Sequence, residues 1–305
     1  MAQSTFEFDC AVFFAAQIKE TMTLLQYFVE RNYKSVFGKG YTPRLEYICN
    51  VDATVTTMPR TMHEHKNLVE ILIVDDGAGI FIIDGERYTA KKGDLILYNS
   101  GTVHDEFGGS GNGLSTYCIA ISNLKLADLK TVNKILPDKY SSILPSDEYF
   151  DELLNTFRAI ERESYRADGA ETANLLACAL VSKICSLLKT HGQPRREKTP
   201  SVSRLARKFV DKHYTENIRL EDIATAADTN VYTLSKTFKA EIGIPPMRYV
   251  VLRRLGEAQN LLINTDMTIT RIALSVGYND SNYFQNVFKN FMQMTPKEYR
   301  KRWTK

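Results

Sequence analysis

The chain has 305 residues, of which 44% are hydrophobic and 25% are charged, and its formal net charge is +3 at pH 7. This length can bury two hydrophobic cores. No apolar run reaches the length of a membrane span, and the first residues lack the basic and hydrophobic segments of a signal peptide, so we expect neither a membrane partner nor secretion.

Cysteine usage indicates the compartment. The five cysteines have neither metal-ligand spacing nor the spacing of a disulfide framework: Cys10, Cys49, Cys118, Cys178 and Cys185. They lie mainly among apolar residues, which is typical of reduced thiols that pack in a core. We therefore expect a cytoplasmic protein.

Charge separates the chain into two parts. Residues 1–200 contain 22 Lys and Arg against 26 Asp and Glu, a net charge of −4, whereas residues 201–305 contain 17 against 10, a net charge of +7. An excess of basic residues often means only that a surface is solvated, but a surface that contacts nucleic-acid phosphates also needs one. The second part is therefore the candidate for nucleic-acid binding.

The first part is predicted to be β-rich after an initial helix. Apolar residues recur at helical spacing over Ala16–Tyr33. From Arg44 onward, short apolar runs between turn signals predict strands at Leu45–Val51, Val69–Val74, Ile80–Ile83, Asp94–Tyr98 and Ser115–Ile121. Asp84-Gly85 predicts a tight hairpin. Many short strands at this spacing indicate a barrel or jelly roll.

Two spaced motifs lie among these strands. The first is His-x-His, four residues, Glu, six residues, Gly, and the second is Gly, seven residues, Gly, two residues, His; they consist of His63, His65, Glu70, Gly77, Gly93, Gly101 and His104. The pair resembles the two motifs of the cupin barrel over residues 58–108. Two positions depart from the cupin pattern: Asn99 stands where proline is usual, and Gly108 stands where the second motif usually ends in Asn.

Four of these motif residues carry chemistry. His63 and His65 lie two residues apart and therefore face the same side of one strand. The resemblance places Glu70 and His104 on neighbouring strands of the same barrel. Three imidazoles and one carboxylate that point inward can hold a divalent ion such as iron, manganese, zinc or nickel. The four residues are therefore candidate metal ligands.

Two amphipathic helices are predicted after the barrel, over Asp147–Tyr165 and Glu171–Leu188. Their apolar stripes consist of Leu153, Leu154, Phe157 and Ile160 in the first helix and of Leu176, Leu180, Ile184 and Leu187 in the second. Such stripes either form a dimer seam or cover the barrel, and we expect dimerisation. Residues 192–200 contain glycine, two prolines and dense charge, which predicts an exposed linker.

The remaining residues contain one pattern twice. The two units lie about fifty positions apart and come into register when Phe238-Lys239 is aligned with Phe288-Lys289. Each unit has an apolar-x-x-Ile-Ala segment, a polar turn and a second helix that ends in Phe-Lys, which is a helix-turn-helix pattern. A plain helical bundle could explain one unit but not the same spacing twice. Apolar spacing predicts one connecting helix over Pro246–Leu262.

Capping residues support these helices. Asn230 and Asp280 are suited to begin the second helix of each unit. The run from Thr295 to Glu298 combines a capping box with proline at the first helical position, which predicts a final helix. Gly277 stands in the second turn, where we expect a positive φ.

The repeat resembles the DNA-binding domain of AraC/XylS-type bacterial transcription regulators over residues 201–303. The resemblance is most specific in Gly277–Phe284 and in Met294–Arg300. One departure is Gln293, which stands where the family usually has glycine, whereas the first unit keeps Gly243. The resemblance implies a seven-helix domain that binds double-stranded DNA.

The family motif assigns base-reading positions to the second helix of each unit. The implied base-contacting residues are Tyr232, Ser235 and Lys236 in the first unit and Ser281, Asn282, Gln285 and Asn286 in the second. Lysine suits guanine, and Asn and Gln suit adenine, so the second half-site should be richer in adenine contacts. Lys239 and Lys289 either contact phosphate or face solvent, and we interpret them as phosphate contacts.

Together the patterns predict a multi-domain protein. It consists of a mainly-β cupin-like effector-sensing barrel (1–145), a helical dimerisation element (146–191), a linker (192–200) and an all-α DNA-binding domain with two helix-turn-helix units (201–305). The predicted function is effector-controlled, sequence-specific transcription regulation without enzymatic activity. The predicted partners are double-stranded DNA, a small-molecule effector and a second copy of the chain, with RNA polymerase as a further candidate.

Three hypotheses are open for the sensor. Sensor domains of AraC-type regulators often look like cupins and bind a sugar or related metabolite without metal; the four candidate ligands then line or support the pocket, and Tyr88 or Tyr98 stacks on the ligand. The second hypothesis is a structural or sensory metal. The third is catalysis at such a metal, as in cupin dioxygenases or isomerases. We favour the first, without a cofactor, because a linked DNA-binding domain indicates sensing, although fold analogy alone does not decide it.

Overall fold

The computed structural model describes residues 29–52, 61–107, 113–195 and 201–303. The chain divides into two units, Met1–Ser35 and Val36–Lys305. Of the first unit only residues 29–35 are described, with a turn at 31–32. Most of the helix that we predict over Ala16–Tyr33 therefore lies outside the described residues, and its last five positions are not helical.

Among the described residues, eight strands form the β-rich part of the second unit. They are β1 (Arg44–Val51), β2 (Leu68–Asp76), β3 (Ala78–Ile83), β4 (Glu86–Lys91), β5 (Asp94–Tyr98), β6 (His104–Phe107), β7 (Ser115–Ser122) and β8 (Ile143–Pro145). All pair antiparallel, in a five-stranded sheet of order β1-β7-β2-β5-β8 and a three-stranded sheet of order β4-β3-β6. The mainly-β prediction is confirmed. Sequence alternation does not predict β6 or β8, because each is only four or three residues long.

The β3–β4 hairpin turns at Asp84-Gly85, as predicted. Ile83 pairs with Glu86, and the two turn residues have φ values of 50° and 70°. Positive φ at both positions is what a two-residue type I′ turn requires.

The central strand β2 is buried on both faces, which explains its nearly continuous apolar run. Ile71 and Ile73 face the helices that follow the barrel, whereas Leu72 and Val74 face the space between the two sheets. Because side chains alternate along a strand, Glu70 points to the same inner side as Leu72. Strand alternation therefore places a carboxylate in the barrel interior.

Two helices, α1 (Phe150–Ser164) and α2 (Ala170–His191), cover the outer face of the five-stranded sheet. The core that they form with β2, β5 and β7 includes most of the predicted stripe residues: Leu153, Leu154, Phe157, Ile160, Leu180, Ile184 and Leu187. Leu176 is partly buried against the same core. The stripes therefore pack on their own sheet, and our interpretation of them as the dimer seam is corrected.

Helix α2 is long and apolar enough to cross a membrane by length and composition, with a mean hydropathy of 1.4 in its most apolar window. However, its apolar residues fill the core shared with the sheet. On its other side Lys183 forms an ion pair with Glu152 of α1, with 3.0 Å between Nζ and Oε2. This is the pattern of a core helix of a folded domain.

The predicted linker starts in contact with the β-rich part. Pro194 forms a bridge with Tyr140, and the Arg195 backbone N–H donates to the Lys139 carbonyl oxygen over 2.8 Å. Residues 196–200 lie outside the described residues.

Within residues 201–303 the structure has seven helices, as predicted. They are α3 (Val202–His213), α4 (Leu220–Ala226), α5 (Val231–Ile242), α6 (Pro246–Asn264), α7 (Ile269–Ser275), α8 (Ser281–Met292) and α9 (Pro296–Trp303). The connecting helix α6 has 19 residues and therefore spans about 28 Å. It joins the first unit, α4 and α5, to the second unit, α7 and α8.

The predicted caps are confirmed. Asn230 and Asp280 accept hydrogen bonds from backbone N–H groups of the helices that they begin. The Thr295 N–H donates to Glu298 Oε2 over 2.8 Å, and the Glu298 N–H donates to Thr295 Oγ1 over 3.2 Å. Gly277 has a φ of 91°, and a Cβ there would lie 2.6 Å from the Thr215 carbonyl oxygen.

Gln293 ends α8 with a φ of 57°, in the left-handed region that Gly243 occupies after α5 at 90°. A non-glycine residue there costs about 1–2 kcal/mol. We expect Gln293→Gly to raise the free energy of unfolding by about 1 kcal/mol and Gly243→Gln to lower it by about as much. Urea denaturation checks both. A loss of stability in Gln293→Gly would show that the Gln293 side-chain bond to the Asn290 carbonyl outweighs the backbone strain.

Candidate metal centre and nucleic-acid interface

The chain brings the four candidate ligands to one place in the barrel. His63 and His104 form an antiparallel bridge, with backbone N–H to carbonyl distances of 3.0 and 2.9 Å. Glu70 Oε2 lies 2.8 Å from His104 Nε2 and 3.3 Å from His65 Nε2. One ligand atom from each of the four residues lies within 4.8 Å of all the others. Residues separated by up to 41 positions in sequence therefore form one cluster.

The cluster is enclosed, and two of its rings are oriented by backbone carbonyls. The side chains of Glu70 and His104 are 1% exposed, and that of His65 is 11% exposed. The Nδ1 atoms of His63 and His104 lie 2.9 Å from the carbonyl oxygens of Thr61 and Thr102. A carbonyl oxygen only accepts, so Nδ1 carries the proton in each ring. In a neutral imidazole, the Nε2 lone pair then faces the cluster, as in metal-ligating histidines.

The short contacts in the cluster need a proton or a metal ion between the partners. Burial by itself raises the pKa of Glu70, but the hydrogen bonds and charges of protonated His104 and His65 hold it well below its ordinary value of 4.5. At 2.8 Å, a carboxylate lone pair and an Nε2 lone pair repel unless a proton or a metal ion lies between them. One proton can bridge only one such pair, whereas one divalent ion can be ligated by all four residues at once.

Tyr47 and Cys118 position the carboxylate and were not among the predicted site residues. The Tyr47 hydroxyl donates to Glu70 Oε1, and Cys118 Sγ lies 3.7 Å from the same oxygen. These contacts leave Oε2 directed at the imidazoles. Among the described residues, Cys49, Cys178 and Cys185 are free thiols.

The two tyrosines predicted to stack on a ligand have different positions. Tyr98 is 1% exposed, and its ring stacks on His104 with 3.9 Å between centroids and 14° between planes. Tyr88 is half-buried on β4, where its hydroxyl donates to Glu86 over 2.9 Å. Tyr98 therefore supports a candidate ligand, whereas Tyr88 is bonded within its own strand.

The first departure from the cupin pattern has a structural role. Asn99 Oδ1 accepts from the backbone N–H groups of Ile135 and Leu136, both over 2.9 Å, and Asn99 Nδ2 donates to the Leu136 carbonyl. Proline could not make these bonds. The second departure, Gly108, lies outside the described residues.

A separate polar cavity of about 350 Å³ lies beside Asn99 at the edge of the barrel. Its lining includes Ser100, Thr102, Lys134, Asp138 and Arg195. The volume falls in the range of small-molecule sites, and the lining offers donors and acceptors.

The second helices of the two units, α5 and α8, are built alike. The aligned pairs Leu234 with Phe284 and Phe238 with Phe288 are all fully buried. The polar faces of both helices carry the predicted base-reading residues. Four of these residues are exposed: Tyr232, Lys236, Asn282 and Asn286. The other three are half-buried: Ser235, Ser281 and Gln285.

Three further side chains on α5 and α8 are exposed. Lys239 and Lys289 are exposed at equivalent positions near the ends of α5 and α8. Tyr283, which the sequence reasoning missed, is 61% exposed in the first turn of α8. A single exposed aromatic residue carries no sequence signal of its own, because such residues are common on protein surfaces.

Two family models match the chain. The AraC-like ligand binding domain matches residues 47–180, and a helix-turn-helix domain matches residues 223–302. The first match contains the four-residue cluster, and the second contains both recognition helices.

Curated relatives match over most of their length. The HTH-type transcriptional activator RhaS of Shigella flexneri is 23% identical over 268 residues, which are 84% of this chain and 95% of the relative. RhaS of Shigella dysenteriae serotype 1 is 23% identical over 270 residues, which are 85% of this chain and 96% of the relative.

Solved structures with a partial likeness include two regulators. An apo form of ToxT from Vibrio cholerae is 17% identical, with 86% of this chain and 98% of that chain covered and a TM-score of 0.46. The C-terminal domain of the two-component response regulator yesN from Fusobacterium nucleatum is 35% identical, with 32% and 94% covered and a TM-score of 0.31.

The two family matches fall on the two parts that the sequence predicts, in the predicted order, and the curated relatives match across both. The chain is thus a DNA-binding transcription regulator with a ligand-binding domain, and it belongs to the AraC family.

Proposed function

We propose that this regulator senses a divalent transition metal ion, which His63, His65, Glu70 and His104 hold in the barrel. The observation that carries the proposal is the convergence of three imidazole nitrogens and one carboxylate oxygen within 4.8 Å in a buried site. Zinc, iron, manganese and nickel all accept this donor set. When bound, the ion supplies a fixed positive charge that satisfies all four ligands.

The spacing favours an ion over the metabolite that we favour from the sequence. The four ligand atoms lie within 4.8 Å of one another, which is slightly more than the roughly 4.2 Å that two metal–nitrogen bonds of about 2.0–2.1 Å can span across one ion. A sugar ring needs a wider gap between the groups that bond its hydroxyls. The metabolite hypothesis keeps a location of its own in the polar cavity beside Asn99, which has the volume for one small molecule.

The proposed role is sensing and not catalysis. Four protein ligands complete a tetrahedral zinc site, whereas catalytic zinc sites keep one position for water or substrate. The chain also carries a DNA-binding domain of a known regulator family. Homodimerisation, contact with RNA polymerase and a cytoplasmic location stay predictions.

A titration of the metal-depleted full-length protein tests the proposal. Zn(II), Ni(II) and Mn(II) are added in a calorimeter, and DNA sequences selected from a random pool serve as the binding probe. We propose that one ion binds per chain and that DNA affinity follows the free ion concentration. Protein that binds none of the three ions, and whose DNA affinity responds instead to a sugar, would contradict it.

The proposed DNA-reading mode uses α5 and α8 in successive major grooves, about 34 Å apart on one face of the duplex. The connecting helix α6, which spans about 28 Å, holds the two units at a fixed separation. Exposed lysine on α5 suits guanine, and the Asn and Gln side chains of α8 suit adenine.

Gln285→Ala should relax base preference at one position of the second half-site and cost roughly 1–3 kcal/mol of binding there. Without DNA, Gln285 Nε2 donates to the Ser281 carbonyl oxygen over 3.3 Å. A base edge can replace this oxygen as the acceptor. Lys289→Ala is the contrasting variant, because loss of a phosphate contact weakens all sequences evenly and lowers the salt dependence. Binding to a panel of single-base operator variants measures both. An even loss in Gln285→Ala would remove its base-reading role.

A further inference from the structure

The segment Thr61–His65 has two sides with different partners. His63 and His65 belong to the metal-ligand cluster, whereas Met62 packs in the core of the DNA-binding domain and Glu64 bonds Arg253 of that domain. Met62 is fully buried in the apolar core of the first helix-turn-helix unit. Two candidate metal ligands therefore lie on a segment whose other side is docked on the DNA-binding domain. We call this segment the docking strap.

The connecting helix α6 binds the backbone of the docking strap. Arg253, which is fully buried, donates through Nη1 to the Met62 carbonyl oxygen over 3.3 Å and through Nη2 to Glu64 Oε1 over 3.2 Å. Asn260 Nδ2 donates to the Glu64 carbonyl oxygen over 3.1 Å. Two of these bonds are to backbone carbonyl oxygens, so α6 can form them only when the backbone of the docking strap is in this position.

Gly256 lets the strap approach α6 closely. A Cβ at this position would lie 2.1 Å from the Met62 carbonyl oxygen and 2.7 Å from its carbonyl carbon. Glycine inside a helix lowers helix stability relative to alanine. Its presence in the middle of α6 is therefore explained by the contact with the strap.

A chain of hydrogen bonds continues from the cluster to the final helix, α9. His63 Nδ1 bonds the Thr61 carbonyl oxygen over 2.9 Å. The Thr61 N–H and hydroxyl donate to Gln259 Oε1 over 3.1 and 2.7 Å. Gln259 Nε2 donates to the Tyr299 hydroxyl in α9 over 3.1 Å. Thr61 and Gln259 are each 3% exposed, so these bonds are shielded from water.

We propose that the ion in the four-residue cluster locks the docking strap against α6, so that metal occupancy sets how the barrel sits on the helix that joins both recognition helices. This inference rests on the proposed metal site. The ion ties His63 and His65 to Glu70 and His104, and thereby favours the one strap position that fits α6. Reciprocity follows: a change that weakens docking weakens metal binding by up to the factor by which metal strengthens docking.

Gly256→Ala in the full-length protein is the test. The added methyl group meets the Met62 carbonyl, while alanine favours the helix, so docking is lost and α6 is kept. Asn264→Ala, at an exposed position two turns further along α6, is the matched control. Calorimetry measures Zn(II) affinity, and amide hydrogen exchange with and without Zn(II) measures protection of residues 61–65 and 246–264.

We expect Zn(II) to increase protection of both segments in the wild type and in Asn264→Ala. Gly256→Ala should bind Zn(II) at least about fivefold more weakly and gain no protection in α6. Asn260→Ala removes one hydrogen bond to the strap and should bind Zn(II) about threefold more weakly. This second variant still tests the inference if Gly256→Ala loses helical structure. Equal Zn(II) affinity in all four proteins would overturn the inference and leave the metal site standing. Failure of the wild type to bind Zn(II), Ni(II) or Mn(II) would overturn the proposed function instead.

Discussion

Replacing His104 by alanine is expected to abolish stoichiometric metal binding. His104 Nε2 lies 2.8 Å from Glu70 Oε2, and its ring is held by the Thr102 carbonyl on one side and stacked on Tyr98 on its face. Loss of one of four ligands should weaken Zn(II) binding by more than about a hundredfold, because changes to the partners of ligands alone cost 10–100-fold. Metal analysis of the purified protein and competition with a chromophoric chelator measure the loss.

His213→Ala is the matched control for this variant. His213 lies outside the cluster, in α3, where its Nδ1 is 2.8 Å from Glu216 Oε1, so its loss should leave metal binding intact. In the wild type, affinity should fall at acidic pH, because protons compete with the ion for the imidazole nitrogens. A His104→Ala protein that keeps one tightly bound ion per chain would remove His104 from the ligand set.

The carboxyl-terminal domain could be predicted in detail because its signals are local. The capping box of Thr295 and Glu298 and the positive φ of Gly277 depend on neighbours a few residues away. The repeat then supplied a second, independent copy of each helix-turn-helix signal. Gln293 departs from the pattern in residue type but keeps the left-handed backbone, so the departure changes stability and not the fold.

The clustering of the four candidate ligands could be predicted from spacing, but the residues that position Glu70 could not. Fixed intervals in the cupin motifs relate His63, His65, Glu70 and His104. Tyr47 and Cys118 reach Glu70 from β1 and β7, up to 48 positions away in sequence, through strand pairing that no local pattern specifies. Strand register sets such contacts, and register follows from the whole sheet.

Apolar stripes predict that a helix face is buried but not which surface covers it. The stripes of α1 and α2 fit a dimer seam and the cover of a sheet equally well in sequence, and in the structure they cover the sheet. The burial of Arg253 had no signal of its own, because a charged residue on a helix usually faces solvent. A glycine in the middle of α6 was the one available hint of a close neighbour.

Replacing Arg253 by alanine is expected to lower the free energy of unfolding by about 3 kcal/mol. Its fully buried guanidinium lies 3.1 Å from Asp211 Oδ1 and 3.2 Å from Glu64 Oε1. The substitution leaves two carboxylates in a site with little water, and Arg207, 3.1 Å from Asp211, compensates only one of them. Arg254→Ala is the matched control, because that side chain donates to the carbonyl oxygens of Tyr214 and Glu216 and bonds Tyr278, and its loss should cost about 1 kcal/mol. Urea denaturation of the full-length proteins measures both.

The cost of Arg253→Ala should also depend on pH. Burial raises the pKa of Asp211 above its ordinary value of 3.8, and Arg253 and Arg207 partly oppose that rise. Because the folded-state pKa exceeds the unfolded one, the contribution of this carboxyl to stability is present below pH 3.8 and is lost as pH rises through the folded pKa. Without Arg253 the folded pKa rises further, so the variant should lose least stability near about pH 4 and most near about pH 7. Arg254→Ala should show no such trend, and a flat profile for Arg253→Ala would mean that the arginine stabilises by packing and not by charge.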